Sequence, residues 1–218
     1  MVMCNENAMA LKKLYFCIIA VATLVVPSAA TAQEIKAVQL YTQDELLKMI
    51  AENSHLTRVV EDRCQLVQDI EARAEVLKVP AYQFLWGDML AWGVCVEAEP
   101  ERGIDFMSLA AQQGLPEALE QLGRYYAKGI LVQEDKTRAV VFLREASALG
   151  NLKAQIQLVE LFIDGHGSPY DYEDAYRWLY NAVTDDKKVH ARIASYLQAL
   201  EKLMHPKAVR AARRPLES

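Results

Sequence analysis

The side chains able to do chemistry in this chain are few and scattered. Beyond residues 1–32 there are two cysteines, Cys64 and Cys95. A thiol pair can close a disulfide or contribute to a metal site, but zinc wants four ligands and no histidine pair accompanies these two. Acidic side chains gather at Glu61-Asp62 and at Asp171, Glu173 and Asp174. Paired carboxylates serve acid and base roles when their surroundings push their pKa values apart. These, however, stand where helix N-termini and solvated faces ordinarily carry negative charge. His166 lies between Gly165 and Gly167 with no nucleophile or second ligand near it, and reads as a surface-loop histidine. Ser168 precedes Pro169 and lacks the strand-turn-helix setting of a nucleophile elbow. No glycine-rich phosphate cradle follows a strand. The expectation is a protein that is not an enzyme, with no catalytic, cofactor-binding or metal residues and no cofactor.

The elements that would position any such groups begin after a targeting segment. Lys12 and Lys13 precede an uncharged apolar run from Leu14 to Val26, and small residues lead to Ala30-Thr31-Ala32. That is the pattern of an export signal with an A-x-A cleavage site, which predicts an exported mature chain beginning at Gln33. The start codon is Met1 or Met9. The run is short for a membrane span, which needs roughly twenty apolar residues. Removing Lys12, Lys13 and Glu6 with the leader leaves 22 basic against 28 acidic side chains, a balance of −6. An acidic chain lacks the basic face that neutralises phosphates, which argues against nucleic acid as a partner. The basic cluster Lys207, Arg210, Arg213 and Arg214 reads as a frayed, solvated end.

A 36-residue spacing organises the rest. Gly93, Gly129 and Gly165 fall on it, as do Ala110, Ala146 and Ala182, and Phe106, Phe142 and Trp178, with Met107, Leu143 and Leu179 beside them. A period of this size marks stacked supersecondary units, each unable to bury its apolar face alone. In each unit the first helix is predicted to end at a glycine, which takes the left-handed conformation without steric cost. The second helix repeats apolar residues at i, i+3, i+4 and i+7, as in Ala139, Phe142, Leu143 and Ala146. The fold class predicted is all-α, a tetratricopeptide-like solenoid. Its parts are a signal peptide over 1–32, an N-terminal helical segment over 33–80, three repeats over 81–187, and a capping helix with a tail over 188–218.

In the N-terminal segment Thr42-Gln43-Asp44-Glu45 is a capping box. A second helix is predicted from about Leu56 to Leu77, with Leu56, Val60, Val67, Ile70, Ala74 and Leu77 on one side and Cys64 among them. An exported chain meets an oxidising compartment, so Cys64 and Cys95 are expected to pair. The bond would close a loop of about thirty residues, worth roughly 3.5 to 4 kcal/mol by chain entropy. Two free thiols, one buried beside Val60 and Val67, are the alternative. In the first copy Gly103 replaces an alanine and Tyr82 stands where the others have Ala118 and Ala154. The last predicted helix carries Ile193, Tyr196, Leu197, Leu200 and Met204 on one stripe, which suits a cap.

The pattern of Ala118, Leu122, Gly123, Tyr126 and Gly129, followed by Ala139, Phe142, Leu143, Ala146 and Gly150, resembles the Sel1-like repeat. The third copy departs from it with Val159 and Phe162. Longer strings, V-V-E-D-R-C-Q-L-V-Q-D-I-E-A-R-A from Val59, Y-Q-F-L-W-G-D-M-L-A-W-G-V-C from Tyr82, G-S-P-Y-D-Y-E-D-A-Y-R-W-L-Y-N-A-V from Gly167, and V-Q-L-Y-T-Q-D-E-L-L from Val38, resemble the MotX family of sodium-driven polar flagellar motor proteins. This resemblance implies a periplasmic component of the flagellar basal body that works with MotY in the T ring. It also implies contact with the periplasmic region of the stator protein PomB. A generic envelope adaptor and a cell-wall-binding or cell-wall-hydrolysing protein are the alternatives.

A partner surface is expected on an outward ridge of the first helices. Spacing places Leu85, Met89 and Trp92 there in the first copy, Gln121, Tyr125 and Lys128 in the second, and Gln157, Leu161 and Asp164 in the third. The alternative for the first three is packing beneath the N-terminal helices. Tyr170, Tyr172, Tyr176, Trp178 and Tyr180 form a second dense aromatic stretch, either interface or core.

Overall fold

The structure, a computed structural model, describes residues 40–214. The targeting segment, the cleavage site at Ala32, the start of the Val38 string and the last four residues lie outside the described residues. Within them the chain is helical throughout, with no strand.

Three short helices come first: α1 (Gln43–Ala51), α2 (His55–Glu61) and α3 (Val67–Glu75). The capping box forms: the Glu45 N–H donates to the Thr42 hydroxyl at 3.3 Å and the Thr42 N–H to the Glu45 carboxylate at 2.9 Å. The long helix expected from Leu56 to Leu77 is instead two. Arg63 and Cys64 take φ values of 54° and 57°, left-handed conformations that cost non-glycine residues roughly 1 to 2 kcal/mol each. Backbone bonds from Arg63 N–H to Val60 and from Cys64 N–H to Val59 hold this turn. The break shifts the buried register, so Val59 is 1 % exposed while Val60 is 57 % exposed. Leu77 is exposed as well, whereas Ile70 and Ala74 are fully buried as the stripe required.

Three antiparallel pairs follow: α4 (Pro80–Trp92) with α5 (Pro100–Gln112), α6 (Pro116–Lys128) with α7 (Lys136–Ala148), and α8 (Leu152–Ile163) with α9 (Tyr172–Tyr180). Proline opens α4, α5 and α6 at a position whose N–H has no helical acceptor. Gly93 and Gly129 close α4 and α6 at φ 66° and 65°. Small residues set the closeness of each pair. A Cβ added to Gly103 would lie 2.6 Å from the Gly87 carbonyl oxygen, and one on Gly123 would meet the Leu143 side chain at the same distance. Gly103 is therefore the condition for α4 and α5 to touch backbone to backbone. Tyr82 is accommodated in place of alanine because its hydroxyl donates to the Tyr41 carbonyl, tying the first repeat to the segment before α1.

The interior is one continuous apolar cluster through all three pairs, including Met107, Leu122, Leu143, Leu158 and Leu179. Each fully buried leucine of this kind contributes about 1.5 to 3 kcal/mol. Phe106, Phe142 and Trp178 are half-buried and pack against the cluster's edge, Phe142 stacking on Tyr126 with centroids 5.7 Å apart.

α10 (Lys187–Glu201) and α11 (Pro206–Ala212) end the stack. Ile193 and Leu200 are buried, with Tyr196, Leu197 and Met204 partly so. The basic end expected to be frayed is ordered through Arg214: Ala212 is buried against the core, and the Arg213 guanidinium donates to the Tyr176 hydroxyl at 3.0 Å and pairs with Glu201. A carboxylate and a phenol on two different helices give this arginine partners that a solvated end lacks.

Candidate partner-docking groove

The first helices α4, α6 and α8 line an inner face, and their polar side chains connect copy to copy. Asp88 on α4 is at the centre. His55 Nε2 of α2 lies 2.7 Å from its Oδ2, and Gln121 Nε2 of α6 donates to its Oδ1 at 2.7 Å. Gln121 also reaches the Tyr125 hydroxyl at 2.8 Å, and the Trp92 indole N–H donates to the same oxygen at 3.1 Å. Burial, with the Asp88 charge adding to it, pushes the Tyr125 phenol up to about 12. One copy further on, Gln157 donates to Glu120, and at the end of the array the Tyr196 hydroxyl donates to Glu160 at 3.1 Å. Asp88, Arg124, Glu160 and Tyr196 stand 36 residues apart, so α10 occupies the place of a fourth first helix.

Beside this polar seam runs a groove of about 1080 Å³, walled by the end of α1 with Asn53, by α6 and α8, and by Val189 and Arg192 of α10. The Glu120 carboxylate is 3.7 Å from Arg124, and Glu160 is 3.5 Å from Arg192. Lys153 crosses the groove to the Ala51 carbonyl at 2.7 Å. Lys128 and Asp164 are exposed at its rim. The arrangement offers complementary charges and hydrogen-bonding groups to a polypeptide.

The nine residues placed on an outward ridge divide. Gln121, Lys128, Gln157, Leu161 and Asp164 do line the groove. Leu85 and Met89 are fully buried, and the expectation of exposure is corrected: α1, α2 and α3 all pack on α4. Tyr125 is corrected too, at 1 % exposure, because Trp92 meets it edge-on and the Arg124 guanidinium covers its ring. Gln121 and Leu161 are also buried, at 6 % and 8 %, so they form the floor and not a ridge. Trp92 is half exposed. In the tyrosine-rich stretch Tyr172 and Tyr176 are core, while Tyr170 and Tyr180 are exposed. Sequence reasoning passed over His55, Asp88, Glu120 and Glu160. The 36-residue column through Asp88 and Glu160 was the available signal.

The Cys64 and Cys95 sulfurs are bonded, with Cα atoms 5.6 Å apart, joining the turn after α2 to the loop after α4. Among the described residues there is no group of three or more potential metal ligands, and no helix is long and apolar enough to cross a membrane.

The fold and its inner face define a solenoid of the Sel1 repeat class. The Sel1 repeat family matches residues 80–115, 116–151 and 152–184. A Sel1 repeat protein from Oxalobacter formigenes superposes with a TM-score of 0.53 at 26 % identity, over 59 % of this chain and 97 % of that one. A protective antigen of uropathogenic Escherichia coli with an SLR fold does so with a TM-score of 0.55 at 23 % identity, over 78 % of this chain and 36 % of its own. The sodium-type polar flagellar protein MotX of Vibrio parahaemolyticus serotype O3:K6 (strain RIMD 2210633) is 54 % identical over 186 residues, spanning 85 % of this chain and 88 % of the relative. The chain belongs to the MotX family of polar flagellar proteins.

Proposed function

We propose that the protein is a non-enzymatic periplasmic adaptor of the sodium-driven polar flagellar motor. It forms the T ring with MotY and helps anchor the PomA/PomB stator at the basal body through the periplasmic region of PomB, and rotation requires it. The observation that carries this reading is the 54 % identity to a sodium-type polar flagellar protein along nearly the whole of both chains. The stacked repeats support it, since such arrays present extended concave surfaces to other proteins. Torque and ion passage fall to partners, because a chain carries an ion pathway only where it spans the bilayer.

The test is complementation. A polar-flagellated strain lacking its own MotX, supplied with the full chain, is expected to swim, and the exported protein to co-purify with MotY or with the periplasmic part of PomB. Exported protein that restores no swimming and recovers neither partner overturns the reading. Turnover of labelled penicillin or peptidoglycan by the purified chain would replace it with an enzyme.

A further inference from the structure

A second cleft, about 410 Å³, lies between the end of α7, the start of α8 and the end of α9, and shares Gly150 and Leu152 with the wall of the groove. Its walls include Ser147, Leu152, Trp178, Asn181 and Val183, and none of its lining residues is ionisable. On its floor sits Gln155, 6 % exposed. The Gln155 amide donates from Nε2 to the Ser147 carbonyl at 3.2 Å. That contact fixes the amide's orientation, because a carbonyl only accepts. Oε1 is thereby left buried with no hydrogen-bond partner among the described residues. An unmet buried acceptor costs roughly 1 to 3 kcal/mol.

The repeat supplies an internal comparison. Gln83 occupies the same position two copies earlier, and its Nε2 likewise donates to a backbone carbonyl, that of Ala74. Its Oε1, however, accepts from the Gln113 carboxamide at 2.6 Å. In the third copy the second helix α9 stops at Tyr180, four residues short of the register in which α5 runs to Gln112, so no counterpart of Gln113 extends from its end. In the middle copy the buried glutamine is Leu119 and the question does not arise. The first repeat thus fills this site from within. The third leaves it open beside the half-buried Trp178 and beside Val183, which is 92 % exposed.

We infer that this cleft is a docking site for an uncharged stretch of a partner polypeptide, which presents a carboxamide or backbone N–H to Gln155 Oε1 and an apolar side chain to Trp178 and Val183. Gln113 shows the donor chemistry, and the uncharged lining selects against a charged occupant, whose desolvation nothing here would offset. The terminal torsion of a glutamine is broad, so an incoming donor draws Oε1 into the cleft in exchange for the 3.2 Å contact to Ser147, without a change of rotamer. The inference does not rest on the motor reading, since it comes from the cleft and the repeat register.

The experiment titrates the isotope-labelled full-length chain, freed of its leader, with N-acetyl-leucinamide and follows the Gln155 carboxamide and Trp178 indole signals by NMR. Saturable shifts of both are expected. In Val183→Asp, which puts a carboxylate on the uncharged wall at a position 92 % exposed, the apparent affinity should fall at least tenfold while thermal stability holds. Gln155→Leu should bind equally poorly. N-acetyl-leucine, carrying a carboxylate in place of the amide, should bind several-fold more weakly. Overturning results are an absence of shifts in the wild type, equal shifts in Val183→Asp, or shifts scattered over unrelated surface residues, which would mean binding by an adventitious additive only.

Discussion

Gln121 of the second repeat donates to Asp88 of the first at 2.7 Å, across a sequence distance of 33 residues, while His55 holds the other carboxylate oxygen. One buried side chain thus joins the N-terminal helices to two successive repeats. Replacing Asp88 by Ala strips both partners of their acceptor in a buried setting, a change expected to cost about 2 to 4 kcal/mol. Thermal unfolding followed by circular dichroism should show the midpoint falling by roughly 2 to 4 °C per kcal/mol. A loss within about 0.5 kcal/mol, the usual range of surface substitutions, would mean the network is incidental to stability.

Gly103→Ala should reverse the ordinary helix rule. In an open helix this change gains about 1 kcal/mol from propensity. Here the new methyl would meet the Gly87 carbonyl at 2.6 Å and the Ala91 N–H at 2.7 Å. Overpacking of this kind costs about 1 to 3 kcal/mol, so a net destabilisation in urea is expected. A stabilised variant would show that α4 and α5 separate without penalty.

The bond between Cys64 and Cys95 closes 31 residues. Its loss in Cys64→Ser or Cys95→Ser should cost about 2 to 5 kcal/mol, with lower abundance of exported protein. Thiol labelling of the unfolded, unreduced chain beginning at Gln33 checks the premise, since it should label neither cysteine.

Stability should decline in alkali. The Tyr125 phenol is raised to about 12 in the folded chain against an ordinary value near 10, so between these pH values the folded chain keeps a proton the unfolded chain has lost. Its contribution is complete below pH 10 and drains away as pH rises toward 12, at up to about 1.4 kcal/mol per pH unit. Tyr82 and Tyr176, also raised by burial, act with the same sign. Tyr125→Phe should therefore shallow the slope without abolishing it, read from urea midpoints at several pH values. An unchanged slope would place the effect elsewhere.

Surface charge at the groove rim gives the functional counterpart. Lys128→Glu with Asp164→Lys alters two exposed positions and should leave stability within about 0.5 kcal/mol. Recovery with a motor partner and swimming speed should fall. Asp at Tyr125 or Leu161 is a poor probe, since both are buried and the protein would lose its fold first.

The sequence alone determined the helical class, the repeat length, the glycine helix ends, the capping box at Thr42 and the single available cysteine pairing outside the leader. Each is local or periodic: a left-handed terminus, an i to i+4 stripe and a 36-residue column are written in neighbouring residue types. Tertiary structure decided which remaining faces meet water. Periodicity locates an apolar stripe relative to a helix's own axis. Whether Tyr125 or Met89 on the adjoining ridge is solvated depends on Trp92 and Arg124 in one case, and on helices α1 to α3 in the other. The same holds for the break at Arg63 and Cys64, where long-range packing and a covalent link hold a conformation that local propensity disfavours. Arg213 follows the same rule, because its partners Tyr176 and Glu201 lie 37 and 12 residues back and come together only when α9, α10 and α11 dock.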